Sequence, residues 1–219
     1  MLILVLDAST PLTTVALARE GGVRAEISVS TRGASEVLLP AVHAALSLAG
    51  EELASVGRLL VGVGPGTFTG IRIAAATARA LSLGTGATLS KNSTLAALAA
   101  PALSCHAEVL GVLDARRGQV FSQRFSKADP ATEISCVEPR DLAAEGAPLI
   151  VGDGAVRYRD ALAELGRIPP DDSPLHRVTA TGHVLSADLA PVDAEELVPI
   201  YVREPDAEVR RDLNPWSRP

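Results

Sequence analysis

The sequence predicts an α/β protein of two similar halves, each a mixed sheet flanked by helices. Three observations carry this reading. Short apolar runs of strand length alternate with turn residues along positions 1–30. Longer apolar stretches with glycine just beyond their ends follow, as helices do. Finally, Val5-Leu6-Asp7-Ala8 returns as Val112-Leu113-Asp114-Ala115, so Asp114 lies 107 residues after Asp7, close to half of the 219-residue chain.

Met1 to Leu6 is a continuous apolar run, as in a buried strand. Asp7-Ala8-Ser9-Thr10-Pro11 is a turn, and Thr13 to Ala18 is the return strand. Gly21-Gly22 marks a hairpin into a third strand, Val23 to Ser30. A helix runs from Ser35-Glu36 to Ala49 with Gly50 at its C-terminal cap, and Pro40 lies early enough in it to be tolerated. Leu59 to Val63 is a buried strand leading into Gly64–Gly70. A second helix spans Ile71 to Leu83 and ends at Gly84. A strand at Ala87–Leu89 and a helix capped by Asn92 or Ser93, broken by Pro101, close the first half.

The second half restarts with a strand into Asp114 and a return strand, Val120 to Arg124. Strands follow near Glu133–Val137 and at Leu149-Ile150-Val151, then a turn at Gly152-Asp153-Gly154 and a helix from Ala155 to Leu165. A Pro-rich loop through Pro174 leads to a short helix at Thr181–Leu189, and the tail Pro205–Pro219 is expected to be mobile. Two β-β-β-α-β-α units describe the duplicated ribonuclease-H-like, actin-like ATPase (ASKHA) architecture. Its two Asp-led hairpins face each other across a cleft and cradle the phosphates of ATP. The subdomains divide at 1–101 and 102–204, with 205–219 as the tail.

A chain of this length buries about 70% of its unfolded surface and needs no metal or disulfide to fold. With 47% hydrophobic but only 3% aromatic residues, its core must be aliphatic. Cys105 and Cys136 form no C-x-x-C pattern and read as two buried free thiols in a reducing cytosol. Met1 to Leu6 lacks a basic flank and meets Asp7 at once, so it is no secretory signal. The longest uncharged helical stretch, Val37 to Gly50, is too short to cross a bilayer. A soluble, cytoplasmic protein is expected. A net charge of −6 argues against tight RNA binding by the chain alone, although a local basic patch is compatible with it.

Several chemistries fail on the residues. Gly62-x-Gly64-x-Gly66 is neither a Walker A loop nor G-x-G-x-x-G. It either holds an anion before a helix or permits a tight turn with close packing, and the spacing favours the turn. An actin-like ATPase wants glycine after its Asp, whereas Ala8-Ser9 and Ala115-Arg116-Arg117 put side chains where a nucleotide would lie. His43, His106, His176 and His183 include no i, i+4 pair for a metal, and no G-x-S-x-G elbow occurs.

A pair of helices remains. Val37, Leu38, Leu39, Val42, Ala45, Leu46, Leu48 and Ala49 cover nearly the whole circumference of the first. Ala74, Ala75, Ala76, Ala78 and Ala80 give the second a smooth surface. A helix apolar all round is buried on both sides, by its own sheet and either by the rest of the core or by a partner. The partner reading assigns the interface to Val37, Leu38, Val42, Ala45, Leu46, Ala49, Ala74, Ala75 and Ala78.

Gly64-Pro65-Gly66-Thr67-Phe68-Thr69-Gly70-Ile71-Arg72 resembles the signature loop of the TsaB (YeaZ) family. Asp7-Ala8-Ser9-Thr10, Ser35–Pro40, Asn92–Leu95, Asp114–Gly118 and Pro199–Arg203 are similar to other segments of that family, in order, over nearly the whole chain. One departure is Gly33-Ala34 where the family often has His before Ser-Glu. The resemblance implies a non-catalytic paralogue of TsaD, the enzyme that forms N6-threonylcarbamoyladenosine at position 37 of tRNAs reading ANN codons. It implies no catalytic residue, cofactor or metal of its own. TsaD would bind through the N-terminal helices, the ATPase TsaE would join the pair, and tRNA would be met through the complex. Alone, the chain would form a homodimer. The alternatives are a glycoprotease-like metal-dependent hydrolase and an actin-like nucleotide-binding protein.

Overall fold

The computed structural model describes residues 1–19, 22–30, 33–128, 131–143 and 146–203. Its first sheet has five strands in the order β3-β2-β1-β4-β5. Strands β1 (Leu2–Asp7), β2 (Leu12–Arg19) and β3 (Gly22–Ser30) form an antiparallel meander, and β4 (Val56–Gly62) and β5 (Thr88–Asn92) extend it in parallel from β1. The apolar run of β1 is continuous because both its faces are covered. Leu2, Leu4 and Leu6 meet α1 (Ala34–Ala49) and α2 (Phe68–Thr85), while Ile3 and Val5 face α6 (Ala180–Ser186).

The second sheet repeats the plan as β8-β7-β6-β9. Strands β6 (Glu108–Arg116) and β7 (Gln119–Ser126) are the duplicated Asp-led hairpin, β8 (Ser135–Val137) is antiparallel to β7, and β9 (Leu149–Val151) is parallel to β6. Helix α3 (Thr94–Leu103) covers one face through Leu95 and Leu98, and α4 (Asp153–Arg157) and α5 (Arg159–Leu162) cover the other through Ala155 and Leu162. Helices α3 and α6 pack against each other between the sheets. The division at residue 101 therefore falls inside a helix that serves the second core, while α6, late in the chain, serves the first.

Several boundaries differ from expectation. Helix α2 starts at Phe68, and its left-handed cap is Gly86, because Gly84 is accommodated inside the last turn. Pro101 lies within α3, which continues to Leu103. Asn92 closes β5, and Ser93 caps α3 by accepting from Ala96 N. The expected Ala155–Leu165 helix is two short ones that meet at Tyr158, whose φ of −115° and ψ of 30° interrupt the helical path. Between β8 and β9 a 3-10 turn at Pro139–Asp141 stands where the first unit has a sixteen-residue helix. That segment, with Pro139, Gly146 and Pro148, has neither the length nor the apolar period for one. Cys105 and Cys136 are unpaired, but Cys105 is exposed just past α3 and Cys136 half-buried on the edge strand β8, so neither is a core thiol. The expected tail, 205–219, lies outside the described residues. Among the described residues no helix is long and apolar enough to cross a membrane.

Candidate functional site

The two Asp-led turns have diverged. Asp7, at the end of β1, is fully buried. Its Oδ1 accepts from Ser9 N at 2.7 Å and from Ser9 Oγ, and its Oδ2 lies 2.8 Å from His183 Nε2 on α6. The donor order beyond the histidine is legible. Ser186 Oγ donates to Gly182 O and accepts from Asn92 Nδ2, and the same amide lies 3.2 Å from His183 Nδ1. With Nδ1 accepting, the ring proton toward Asp7 is on Nε2. Thr94 Oγ1 completes the cluster at 3.0 Å from Ser9 Oγ. Burial alone pushes the Asp7 carboxyl up. The His183 hydrogen bond, the charge of that ring when protonated and the two Ser9 donors outweigh it, holding the carboxyl below its usual range.

The glycine loop closes onto this turn by backbone contact. A Cβ on Gly62 would fall 1.9 Å from Asp7 Oδ2, one on Gly66 would fall 2.1 Å from Ser9 O, and one on Gly70 would fall 1.8 Å from Ala8 O. Thr67 N donates to Ser9 O at 2.6 Å. Gly64 has φ +97° and precedes a cis Pro65. Its carbonyl accepts from Thr94 N at 2.8 Å, and Ile200 N donates to Val63 O at 2.7 Å. The loop is thus a close-packed turn that starts α2 and seals Asp7.

Asp114 instead borders an open groove of about 460 Å³. The groove lies between the start of α2, the β6–β7 hairpin and residues 200–203. Arg116 Nη1 is 3.4 Å and Arg157 Nε 3.7 Å from Asp114 Oδ2. Asp114 N donates to Asp153 Oδ1 at 3.0 Å. Burial, the larger influence, and the nearby Asp114 charge push the Asp153 carboxyl up against these hydrogen bonds. On the opposite wall Arg72 Nε donates to Tyr201 Oη at 2.7 Å, and its guanidinium sits 3.5 Å from the Phe68 ring centroid. Arg203 reaches across to Ala115 O and Gln119 Oε1. Among the described residues no cluster of three metal-binding side chains occurs.

A family model described as TsaD, tRNA N6-adenosine threonylcarbamoyltransferase, matches residues 8–148. The chain is 34% identical over 129 residues to the tRNA threonylcarbamoyladenosine biosynthesis protein TsaB of Escherichia coli, covering 58% of this chain and 56% of that protein. The match thus spans little more than half of that relative. An uncharacterized protein of Mycobacterium tuberculosis is 31% identical over 211 residues, 94% of this chain and 93% of its own. The solved structure of YeaZ from Pseudomonas aeruginosa superimposes with a TM-score of 0.79 at 26% identity, covering 91% of this chain and 99% of that one. The chain belongs to the TsaB (YeaZ) family. Its fold is the duplicated actin-like one.

Of the TsaB-type signature loop, Gly64, Pro65 and Gly70 are buried, Gly66 and Thr67 half-buried, and Phe68, Thr69 and Arg72 exposed. The loop therefore has a structural half under Asp7 and a surface half at the groove. The residues expected at a partner interface are placed differently. Leu38, Val42, Ala45, Leu46, Ala74, Ala75 and Ala78 are buried in the chain's own first core, and only Val37 and Ala49 are half-buried. The solvent-facing sides of the same helix pair carry Leu39, Leu48 and Leu83, which are 54%, 76% and 88% exposed, with Ala76 and Ala80; Leu39 and Leu48, nine residues apart, lie on opposite flanks of α1. Sequence reasoning missed His183, Asn92 and Tyr201. Nothing local marks His183, whereas Asn92 and Tyr201 sit in the family-like Asn92–Leu95 and Pro199–Arg203 segments.

Proposed function

We propose that this chain is a non-catalytic scaffold and activator subunit of the complex that forms N6-threonylcarbamoyladenosine at position 37 of tRNAs reading ANN codons. It binds the catalytic threonylcarbamoyltransferase TsaD and, with it, the ATPase TsaE, in the cytoplasm. Residues 1–101 carry the docking helices α1 and α2. tRNA is handled by the complex, and in isolation the same surface pairs with a second copy. Family membership and the biosynthetic role named for the E. coli relative support the pathway.

The observation that carries the scaffold role is the outward apolar face of α1 and α2. Leu48 and Leu83, 76% and 88% exposed in the last turns of neighbouring helices on one sheet face, are apolar surface that a partner of matching character would cover. The Asp7 turn supports the non-catalytic part. Its carboxylate is saturated by Ser9 and His183 and sealed by Gly62, so it has no lone pair directed to a substrate. Co-expression with the TsaD of the same organism, sizing, and a tRNA modification assay with and without this chain test the reading. A TsaD that stays separate and modifies tRNA equally well alone would refute it.

A further inference from the structure

We propose that the groove beside Asp114 binds an unpaired nucleotide of an RNA strand, with its base on the Phe68–Tyr201 wall and its phosphate at Arg116 and Arg117. This rests on the tRNA-modification reading and names a contact by which this subunit would take part in it.

The aromatic wall is preorganised. Phe68 and Tyr201 are 39% and 42% exposed, with ring centroids 5.5 Å apart. Arg72 holds both, by its hydrogen bond to Tyr201 Oη and by its position over the Phe68 ring. Both rings are partly exposed and pack on each other and on Arg72 instead of into a core cluster. A base stacking there meets rings already fixed, with little side-chain entropy left to lose. Ile71, Ile200 and Val202 give the groove an apolar floor.

The facing hairpin is cationic in an unusual conformation. Arg116 and Arg117 have φ of +65° and +54°, followed by Gly118 at +78°. With Arg116 paired to Gln119, Arg117-Gly118 is a two-residue connection whose positive φ values favour Asn-Gly or Gly-Gly. Each arginine held there costs on the order of 1 kcal/mol. Asn or Gly would make the same turn at less cost; Arg116 pairs with Asp114. The two arginines stand on the lip of the groove, across from the rings. Among the described residues that line the groove Asp114 is the one carboxylate, and Arg116 and Arg157 offset it.

Aromatic faces and arginines without a built set of base-edge partners suit a strand read by stacking and charge. Free ATP fits less well, because this hairpin presents arginine side chains instead of the glycine backbone that wraps a triphosphate. The volume of about 460 Å³ admits one nucleotide, not a duplex.

The test measures tRNA binding by the complex with TsaD, and binding of a single-stranded RNA carrying 2-aminopurine by the isolated chain. Two variants are compared with wild type. Arg116→Gly/Arg117→Asn removes both charges while giving the turn residues it favours, and Phe68→Ala removes the platform. The arginine variant should melt close to wild type, the relieved turn offsetting the lost Arg116–Asp114 pair, assemble normally and lose about tenfold in RNA affinity. Its slope of log affinity against log salt should fall by about one for each phosphate no longer neutralised. Phe68→Ala should lose roughly tenfold and abolish the 2-aminopurine quench. Unchanged RNA affinity in both folded variants would overturn the proposal. So would displacement of the RNA by micromolar AMP or ATP. If wild type fails to pair with TsaD yet RNA binding by the isolated chain falls in both variants, the groove assignment stands and the functional reading falls.

Discussion

Asp7 and His183 stand 176 residues apart in the chain and meet at 2.8 Å with both side chains buried. The contact ties β1 of the first sheet to α6, the helix that returns from the end of the second half. Removing one partner leaves the other polar group buried and unmatched. His183→Ala should therefore destabilise the fold by about 3–5 kcal/mol. The double variant Asp7→Ala/His183→Ala should lose at least about 1 kcal/mol less than the sum of the two singles. Urea denaturation of all four proteins measures the coupling, and strictly additive losses would show that the pair does not act as a unit.

The acid limb of stability follows from the same carboxyl. The folded pKa of Asp7 lies below the ordinary aspartate value of 3.8, so its contribution is complete above that value and is lost as pH falls through the lower, folded pKa. Asp153 has the opposite sign. Its folded pKa is raised, so its contribution is present at low pH and lost as pH rises through the raised value. Asp153→Asn should thus raise the urea midpoint at pH 7 and converge with wild type near pH 3. An equal difference at both pH values would mean that the titration of Asp153 is not the cause.

Two glycines of α2 should respond in opposite directions to the same methyl group. At Gly70 a Cβ would fall 1.8 Å from Ala8 O, a backbone atom that cannot turn aside. Gly70→Ala should destabilise by about 3 kcal/mol or more, at or above the upper end of ordinary overpacking. Gly84 lies in the same helix with nothing within 4 Å, so Gly84→Ala should stabilise by roughly 0.5–1 kcal/mol. Melting temperatures moving together would contradict the close-packing account of the loop.

What the sequence made legible was whatever is local. The apolar run of β1, the Asp-led hairpins and Gly50 each announce themselves within a few residues. So did Arg116-Arg117 in place of glycine at the second turn, whereas their left-handed conformation shows only in the structure. The pairing of Asp7 with His183 was not legible, because it depends on α6 crossing back to the first sheet. The helix pair was located correctly as elements but misread by face. Val42 and Ala75 differ from Leu48 and Ala76 only by rotation about the helix axis. On a helix apolar all round, periodicity gives no direction to that rotation.

That distinction of faces supplies the last test. Both helices run antiparallel to the parallel strands they connect, so Leu48 in the last turn of α1 and Leu83 in the last turn of α2 lie toward the same end of the pair. Leu48→Glu and Leu83→Glu place the new charge in water in the monomer. They should leave the melting temperature of the monomer nearly unchanged, as surface substitutions do, and shift any self-association of the isolated chain toward the monomer. On the proposed docking to TsaD through this face, each glutamate would be desolvated without a partner, and association should weaken by several kcal/mol, about the penalty of an unpaired buried charge. Val42→Glu and Ala75→Glu bury their charge in the first core and should unfold the chain before any partner is offered. Melting curves separate the two classes, and sizing with TsaD together with tRNA modification reads the interface. Folded Leu48→Glu and Leu83→Glu proteins that still assemble and support full modification would move the docking surface away from α1 and α2.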